Sequence, residues 1–244
     1  MVIEMDIINN EDLLNYFENK ETIRENALKL SREIVRKISM IIRNIHKNPD
    51  DFNILNSIKN EITLIEEDIL RLREMLKDYD DLKKYINTPE IEYVECKTFL
   101  EIVFSVENGC KSNNSINRVD DVSSNNNISN NMPISYKTFK KVGIIPENYI
   151  LGLCDVIGEL RRIIVECIKE DDIDRSMKYF EIMEKIYEYI MLFDNYHVID
   201  GLRRKQDISR GILEKTNGDI MNFIENLKLR RELIKLNGVL KSSN

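Results

Sequence analysis

Two pairs of acidic residues have the spacing of side chains that share one face of a helix. Glu92 and Glu95 are three residues apart, and Asp155 and Glu159 are four apart. Each pair therefore projects from one side of its helix, and Arg162 continues the stripe of the second pair. Such paired carboxylates are candidates for holding a metal ion through oxygen ligands.

The first acidic pair lies on a stripe that becomes apolar further along the chain. The face of Glu92 and Glu95 continues into Phe99, Ile102 and Val106. This pattern favours partial burial, and a buried carboxylate needs a partner or a metal. The alternative is an acidic first turn favoured by the helix dipole, and the spacing leaves both interpretations open.

The second acidic pair lies in a mostly apolar segment, residues 149–169, which predicts a long helix that begins near Pro146. Gly152 and Gly158 interrupt it, although each interior glycine costs a helix about 0.5–1 kcal/mol relative to alanine. Glycines at such positions indicate that another backbone or a ligand comes close.

Composition narrows the kind of metal that this chain could bind. The chain has four cysteines without C-x-x-C spacing, and only two histidines. A zinc site is therefore not expected. Oxygen ligands remain, and these favour Mg²⁺ or Mn²⁺.

The chain as a whole has the composition of a helical protein. It has 244 residues with 42% hydrophobic and 32% charged residues, but only 8 Gly and 4 Pro. So few turn-forming residues favour an all-α fold. There is no uncharged apolar run of membrane-spanning length, and the acidic amino terminus is unlike a signal peptide, so we predict a cytoplasmic location and no membrane association.

Apolar periodicity predicts a single-domain bundle of long antiparallel helices over residues 1–244. Helices are expected over about 11–47 and 52–85, from Thr88-Pro89 to 108, over 171–197 and over 201–229. Capping of a helix explains Asp171, Asp172 and Asp174 better than calcium binding. Residues 109–132 are rich in Asn and Ser, which predicts a disordered insertion.

Basic residues recur on two of the predicted helices. Arg36 and Arg43 lie on the first helix, and Arg203 and Arg204 open the last one. They either face nucleic-acid phosphates, or belong to a solvated surface and balance acidic neighbours. The net charge of −7 excludes a generally basic surface but not a local one.

Four segments together resemble the translin family, and in particular its translin-associated factor X branch. They are REIVRKISMIIRNIH, EYVECKTF, ENYILGLCDVIGELRR and GLRRKQDISRGILEKTNGDI. The resemblance implies a translin-like α-α superhelix. It also implies a metal-dependent endoribonuclease whose acids match Glu92, Glu95, Asp155 and Glu159.

From the chemistry of these residues we hypothesise a role for each of them. Glu92, Glu95 and Asp155 would ligate Mg²⁺ or Mn²⁺, and Glu159 would complete the shell or orient water. Arg162 would hold a phosphate, and Arg36, Arg43, Arg203 and Arg204 are further candidates for binding RNA.

Three expectations about partners follow from the same family. The chain would bind RNA, or single-stranded DNA, inside a closed oligomer that is commonly an octamer. That oligomer would be built from copies of this chain, or from this chain and a translin-like subunit. The translin branch binds nucleic acid without catalysis, and this is the alternative function.

Overall fold

The computed structural model describes residues 11–114 and 135–242, with side chains for 11–109 and 135–237. Within these ranges seven α-helices follow one another: α1 (Glu11–Lys47), α2 (Phe52–Leu76), α3 (Lys84–Asn114), α4 (Tyr136–Lys140), α5 (Pro146–Lys169), α6 (Ile173–Met191) and α7 (Leu202–Ser242). These described ranges contain no strand, so the all-α prediction is confirmed. None of the described helices is long and apolar enough to span a membrane.

The first helix has the predicted bounds, whereas the second is shorter than predicted. Asp51 caps α2, because its side chain accepts hydrogen bonds from the backbone N–H groups of Asn53 and Ile54. The prediction of a helix to residue 85 was wrong. The chain leaves α2 after Leu76 and forms a 3₁₀ turn at Asp80–Leu82, in a stretch rich in aspartate, which is a weak helix former.

The predicted helix start at Thr88-Pro89 was also wrong, since α3 begins at Lys84 and contains Pro89 in its second turn. A proline there cannot donate the usual backbone hydrogen bond. Leu82 and Ile86 are buried in the core immediately before it. Their burial stabilises the additional turn and offsets the missing hydrogen bond.

Helices α3 and α7 both extend beyond the carboxyl-terminal ends predicted for them. Helix α3 runs to Asn114 and so includes residues 109–114, which had been assigned to the disordered insertion. The rest of that insertion lies outside the described residues. Helix α7 continues to Ser242 instead of ending near Leu229. Helix α6 is shorter than the predicted 171–197, since it runs only from Ile173 to Met191. Asp172 caps it as expected, because its side chain accepts from the N–H of Arg175.

Helix α5 is the centre of the bundle and packs against α3, α6 and α7, while α1 packs against α2 and α3. The contact between α5 and α3 is close at Gly152. A Cβ atom on Gly152 would lie 2.6 Å from Cβ of Val94 and 2.7 Å from the carbonyl oxygen of Ile91. Only glycine permits this separation, which explains one of the two unusual glycines. Gly158 has no such neighbour, since no described atom beyond its adjacent residues and the nearby backbone of α5 lies within 4 Å of the position of its Cβ.

We expect Gly152→Ala to destabilise the protein by about 1–3 kcal/mol, because the added methyl group must push α3 away from α5. Gly158→Ala is the matched control on the same helix. It should be neutral or stabilise the protein by about 0.5–1 kcal/mol through helix propensity. Urea unfolding followed by circular dichroism measures both. Equal stabilities of the two variants would contradict the close approach.

Candidate active site

The four predicted acids line a single cavity of about 760 Å³. Four helices form its walls: α1 through Ser39, Ile42 and Arg43, α3 through the first acidic pair, α5 through the second pair, and α7 through residues from Arg204 to Ile212. The structure thus brings together acidic pairs that are about sixty residues apart in the sequence.

Helix packing at Gly152 positions these acids. Ile91 and Val94, which meet Gly152, immediately precede Glu92 and Glu95 in α3. Asp155 lies one turn after Gly152 in α5, so the close contact places the two acidic pairs beside each other. Gly158 also lines the cavity and leaves its wall without a side chain between Asp155 and Glu159.

The carboxylates of α3 are held in an unfavourable environment for negative charge. Glu95 is only 9% exposed. Its burial, followed by the nearby charges of Glu92, Asp155 and Glu159, raises its pKa to about 8. Burial, followed by the charges of Asp155 and Glu159, also raises the pKa of Glu92. Additional positive charge in this cavity would therefore be stabilising.

Part of that positive charge comes from Lys205 on α7. Its ammonium group donates to both carboxylate oxygens of Asp155. Lys205 also opposes the rise in the pKa of Glu92 and Glu95. The basic residues of this helix were expected either to face phosphates or to balance acidic neighbours. Lys205 balances an acidic neighbour, Asp155.

Glu159 has two partners, one buried and one exposed. Nε2 of His46, at the end of α1, forms a short hydrogen bond with Oε2 of Glu159. Arg162 lies one turn along α5, with its Nη1 atom 3.7 Å from the same oxygen. The side chain of Arg162 is 58% exposed, so its guanidinium group remains accessible from the cavity.

The predicted RNA-binding arginines do not all occupy the same surface. Arg43, Arg162 and Arg204 line the cavity. Arg203 instead lines a smaller adjoining cavity of about 170 Å³, which shares Arg204. Arg36 is exposed on α1 two turns before Arg43, outside the lining of either cavity.

The neighbour of Arg162 in sequence has a structural role. Arg161 donates to Oγ1 of Thr216 at 2.9 Å and to Oδ2 of Asp219 at 2.8 Å, both on α7. These bonds hold α7 along α5. The stripe predicted from helix spacing included Arg162, which lines the cavity, and did not include Arg161, which joins α5 to α7.

The donor set fits a divalent ion in composition. Four carboxylates supply the hard oxygen ligands that Mg²⁺ and Mn²⁺ take, and their mutual repulsion favours a bound cation. In the described ranges, however, no three His, Cys, Asp or Glu side chains converge as a set that could hold a metal ion. Asp155 is turned to Lys205 and Glu159 to His46 instead.

Sequence reasoning did not select Lys205 or His46 as site residues. Lys205 directly follows Arg204, so the same basic segment contained the signal. His46 lies three residues after Arg43 and four after Ile42, on the side of α1 that reaches the cavity. The spacing of both basic residues along their helices can be read from the sequence, but their acidic partners on α5, Asp155 and Glu159, cannot.

Comparison with known proteins identifies the family of this chain. The Translin family model matches residues 19–223, and the chain belongs to this family. An uncharacterized protein of Methanocaldococcus jannaschii is 44% identical over 234 residues, which are 96% of this chain and 90% of that protein.

The factor X branch is also represented among the relatives. Translin-associated protein X of Pongo abelii is 24% identical over 70% of this chain and 62% of its own length. The protein of Rattus norvegicus is 23% identical over the same shares. The resemblance to the translin family and to its factor X branch is therefore confirmed.

Solved structures share the fold. The crystal structure of apo-NeC3PO has a TM-score of 0.65 and 16% identity, over 89% of this chain and 98% of that one. AfC3PO has a TM-score of 0.60 and 24% identity, over 90% and 98%. A second AfC3PO structure, a complex with duplex RNA, has a TM-score of 0.57 at 21% identity, over the same shares.

The raised pKa of Glu95 predicts how stability depends on pH. Because the folded protein binds this proton more tightly, the free energy of unfolding should fall as pH rises from about 4.5 to about 8. Glu95→Gln removes the group, so the variant should be more stable than the wild type above pH 8, by a few kcal/mol in order of magnitude. Urea unfolding at pH 5 and pH 9 in metal-free buffer measures this.

Glu101→Gln is the control, since Glu101 lies on the same helix but outside the cavity lining. Its stability difference from the wild type should be the same at both pH values. A difference for Glu95→Gln that does not change with pH would contradict the assigned environment.

Proposed function

We propose that this protein is a metal-dependent endoribonuclease that cleaves single-stranded or small structured RNA. One observation carries the proposal: four carboxylates, three arginines and a lysine line the same cavity. The carboxylates are suited to a divalent ion and the arginines to phosphates. Enzymes that act on phosphodiesters use both kinds of group in one site: carboxylates to hold a metal ion and basic side chains to hold the phosphate.

Glu92, Glu95 and Asp155 are the proposed ligands of Mg²⁺ or Mn²⁺, with Glu159 completing the set or orienting water. A divalent ion in this cavity would supply an activated water molecule and neutralise charge that builds on the scissile phosphate. Asp155, which accepts hydrogen bonds from Lys205 in this structure, would hold the ion instead. The ammonium group of Lys205, which also lines the cavity, would then be available as a further donor to phosphate.

The arginines bind and orient the RNA in this proposal. Arg162 lies next to Glu159 and can form paired hydrogen bonds with a phosphate. Arg43 on α1 and Arg204 on α7 line the same cavity as the acids. Arg203 and Arg36 lie further out and would contact more distant phosphates. The AfC3PO complex with duplex RNA supports RNA as the ligand class for this fold.

The second candidate is a non-catalytic oligomer that binds RNA or single-stranded DNA. Two observations favour it: Lys205 already neutralises Asp155, and no three acidic, His or Cys side chains of the described residues converge on one point. In this function the acids would be structural and the arginines alone would bind nucleic acid.

We further propose that the chain acts as an oligomer, either a homo-oligomer such as an octamer or a hetero-oligomer with a translin-like subunit. Large apolar side chains are more than half exposed at the two ends of the described chain, and burial in an assembly would stabilise them. They are Leu13, Leu14 and Phe17 on α1, and Leu229, Ile234 and Leu236 on α7. A cytoplasmic location stays a prediction.

We expect the wild type to cleave labelled single-stranded RNA with Mg²⁺ and not with a chelator. Asp155→Asn should lower the rate by about 100-fold or more, because a metal ligand contributes several kcal/mol to the transition state. Glu166→Gln is the matched control, an exposed carboxylate on the same helix that pairs with Lys169, and it should cleave normally.

Normal cleavage by Asp155→Asn would contradict the assigned site. If the wild type retards RNA on a gel in the presence of chelator but never cleaves it, the non-catalytic function is the correct one.

RNA affinity tests the arginine assignment independently of cleavage. Arg43→Gln and Arg204→Gln should each weaken RNA binding and lower the slope of log K against log salt by about 1, as expected for the loss of one phosphate contact. Arg71→Gln is the control, on helix α2, from which no described residue lines the cavity. Fluorescence anisotropy at several salt concentrations measures the slopes, and an unchanged slope in both cavity variants would contradict the assignment.

A further inference from the structure

His46 is a buried polar residue that contacts Glu159 from outside the lining of the candidate active-site cavity. Its side chain is only 8% exposed, although it lies in the last turn of α1. The imidazole ring packs on Phe99 of α3, with the ring centroids 4.7 Å apart. Phe99 lies one turn after Glu95 on the same helix. The ring is therefore held in place by the helix that carries the first acidic pair.

The geometry of His46 selects one tautomer. Nε2 lies within hydrogen-bonding distance of Oε2 of Glu159. A carboxylate oxygen only accepts, so Nε2 must carry a proton and donate it.

The other ring nitrogen does not account for the burial of His46. Nδ1 is buried and has no hydrogen-bond partner among the described residues. Leaving a buried polar atom unpaired destabilises the folded protein. Phenylalanine or leucine would fill the same space without this cost. What histidine adds at this position is the hydrogen bond to Glu159.

Glu159 has no equally rigid alternative partner in the described structure. Arg162 is 3.7 Å away and more than half exposed, so its contact is weak and easily exchanged. Gly158, the preceding residue, adds no side chain that would restrict the carboxylate. The orientation of Glu159 thus depends on His46.

We propose that His46 is a positioning residue that fixes the carboxylate of Glu159 toward the metal-binding cavity. The inference rests on the proposed metal-dependent function and names a residue of α1 that this function requires. Metal-site carboxylates are commonly held in this way by a hydrogen bond from behind, and loss of such a partner typically lowers metal affinity by about 10- to 100-fold.

Two substitutions separate the hydrogen bond from the packing of the ring. The amide nitrogen of glutamine is as many bonds from Cα as Nε2 of histidine, so His46→Gln can still donate to Glu159. The amide nitrogen of asparagine corresponds to Nδ1 instead, so His46→Asn cannot reach it. Both variants lose the aromatic ring on Phe99 and should be destabilised to a similar extent.

Mn²⁺ binding to the full chain, measured by electron paramagnetic resonance, is the test, with RNA affinity in chelator as a second measurement. We expect His46→Asn to bind Mn²⁺ about 10- to 100-fold more weakly than the wild type, and His46→Gln to bind it nearly as well. RNA affinity should be the same in all three proteins, because the arginines are unchanged.

The outcomes distinguish this inference from the function on which it rests. If the wild type binds Mn²⁺ and His46→Asn binds it equally well, the role of His46 is wrong while the metal site stands. Equal weakening by both substitutions would assign the effect to ring packing and would also overturn the inference. A wild type that does not bind Mn²⁺ overturns the proposed function, and the role of His46 with it.

Discussion

The close approach of α3 and α5 at Gly152 is the constraint on which the candidate site depends. The backbone of Gly152 touches Val94 and the carbonyl of Ile91, and the residues that follow these two are Glu92 and Glu95. Any larger side chain at residue 152 would separate the helices and with them the acidic pairs. The packing of an apolar interface therefore sets the distance between groups that repel each other, which electrostatics alone would drive apart.

Repulsion among the four carboxylates dominates the electrostatics of the cavity. Burial and neighbouring charges raise the pKa of Glu95 to about 8, while Lys205 supplies one positive charge at Asp155. The cavity is thus incompletely neutralised by the protein itself. A site of this kind favours an additional cation, and in this respect the carboxylates differ from Glu90, a fully buried acid that Arg73 and Asn148 satisfy within the fold.

Features that depend on local spacing could be predicted from the sequence. Features that depend on contacts between distant parts of the chain could not. The acidic stripes and the position of Arg162 followed from helix periodicity, as did the bounds of α1. The start of α3 did not, because the burial of Leu82 and Ile86 outweighs the preference of Pro89 for a first turn. His46 and Lys205 were missed because their partners, Glu159 and Asp155, lie 113 and 50 residues away in the chain.

Helix α7 carries the residue that separates the two candidate functions. Arg161 fixes this helix to α5 through Thr216 and Asp219, and Lys205 lies about three turns before that junction. The anchored helix thus keeps Lys205 beside Asp155, to which its ammonium group donates. If an ion displaces it, the lysine joins the arginines as a donor to phosphate. If no ion does, the lysine remains a structural counter-ion, and the cavity binds nucleic acid without cleaving it.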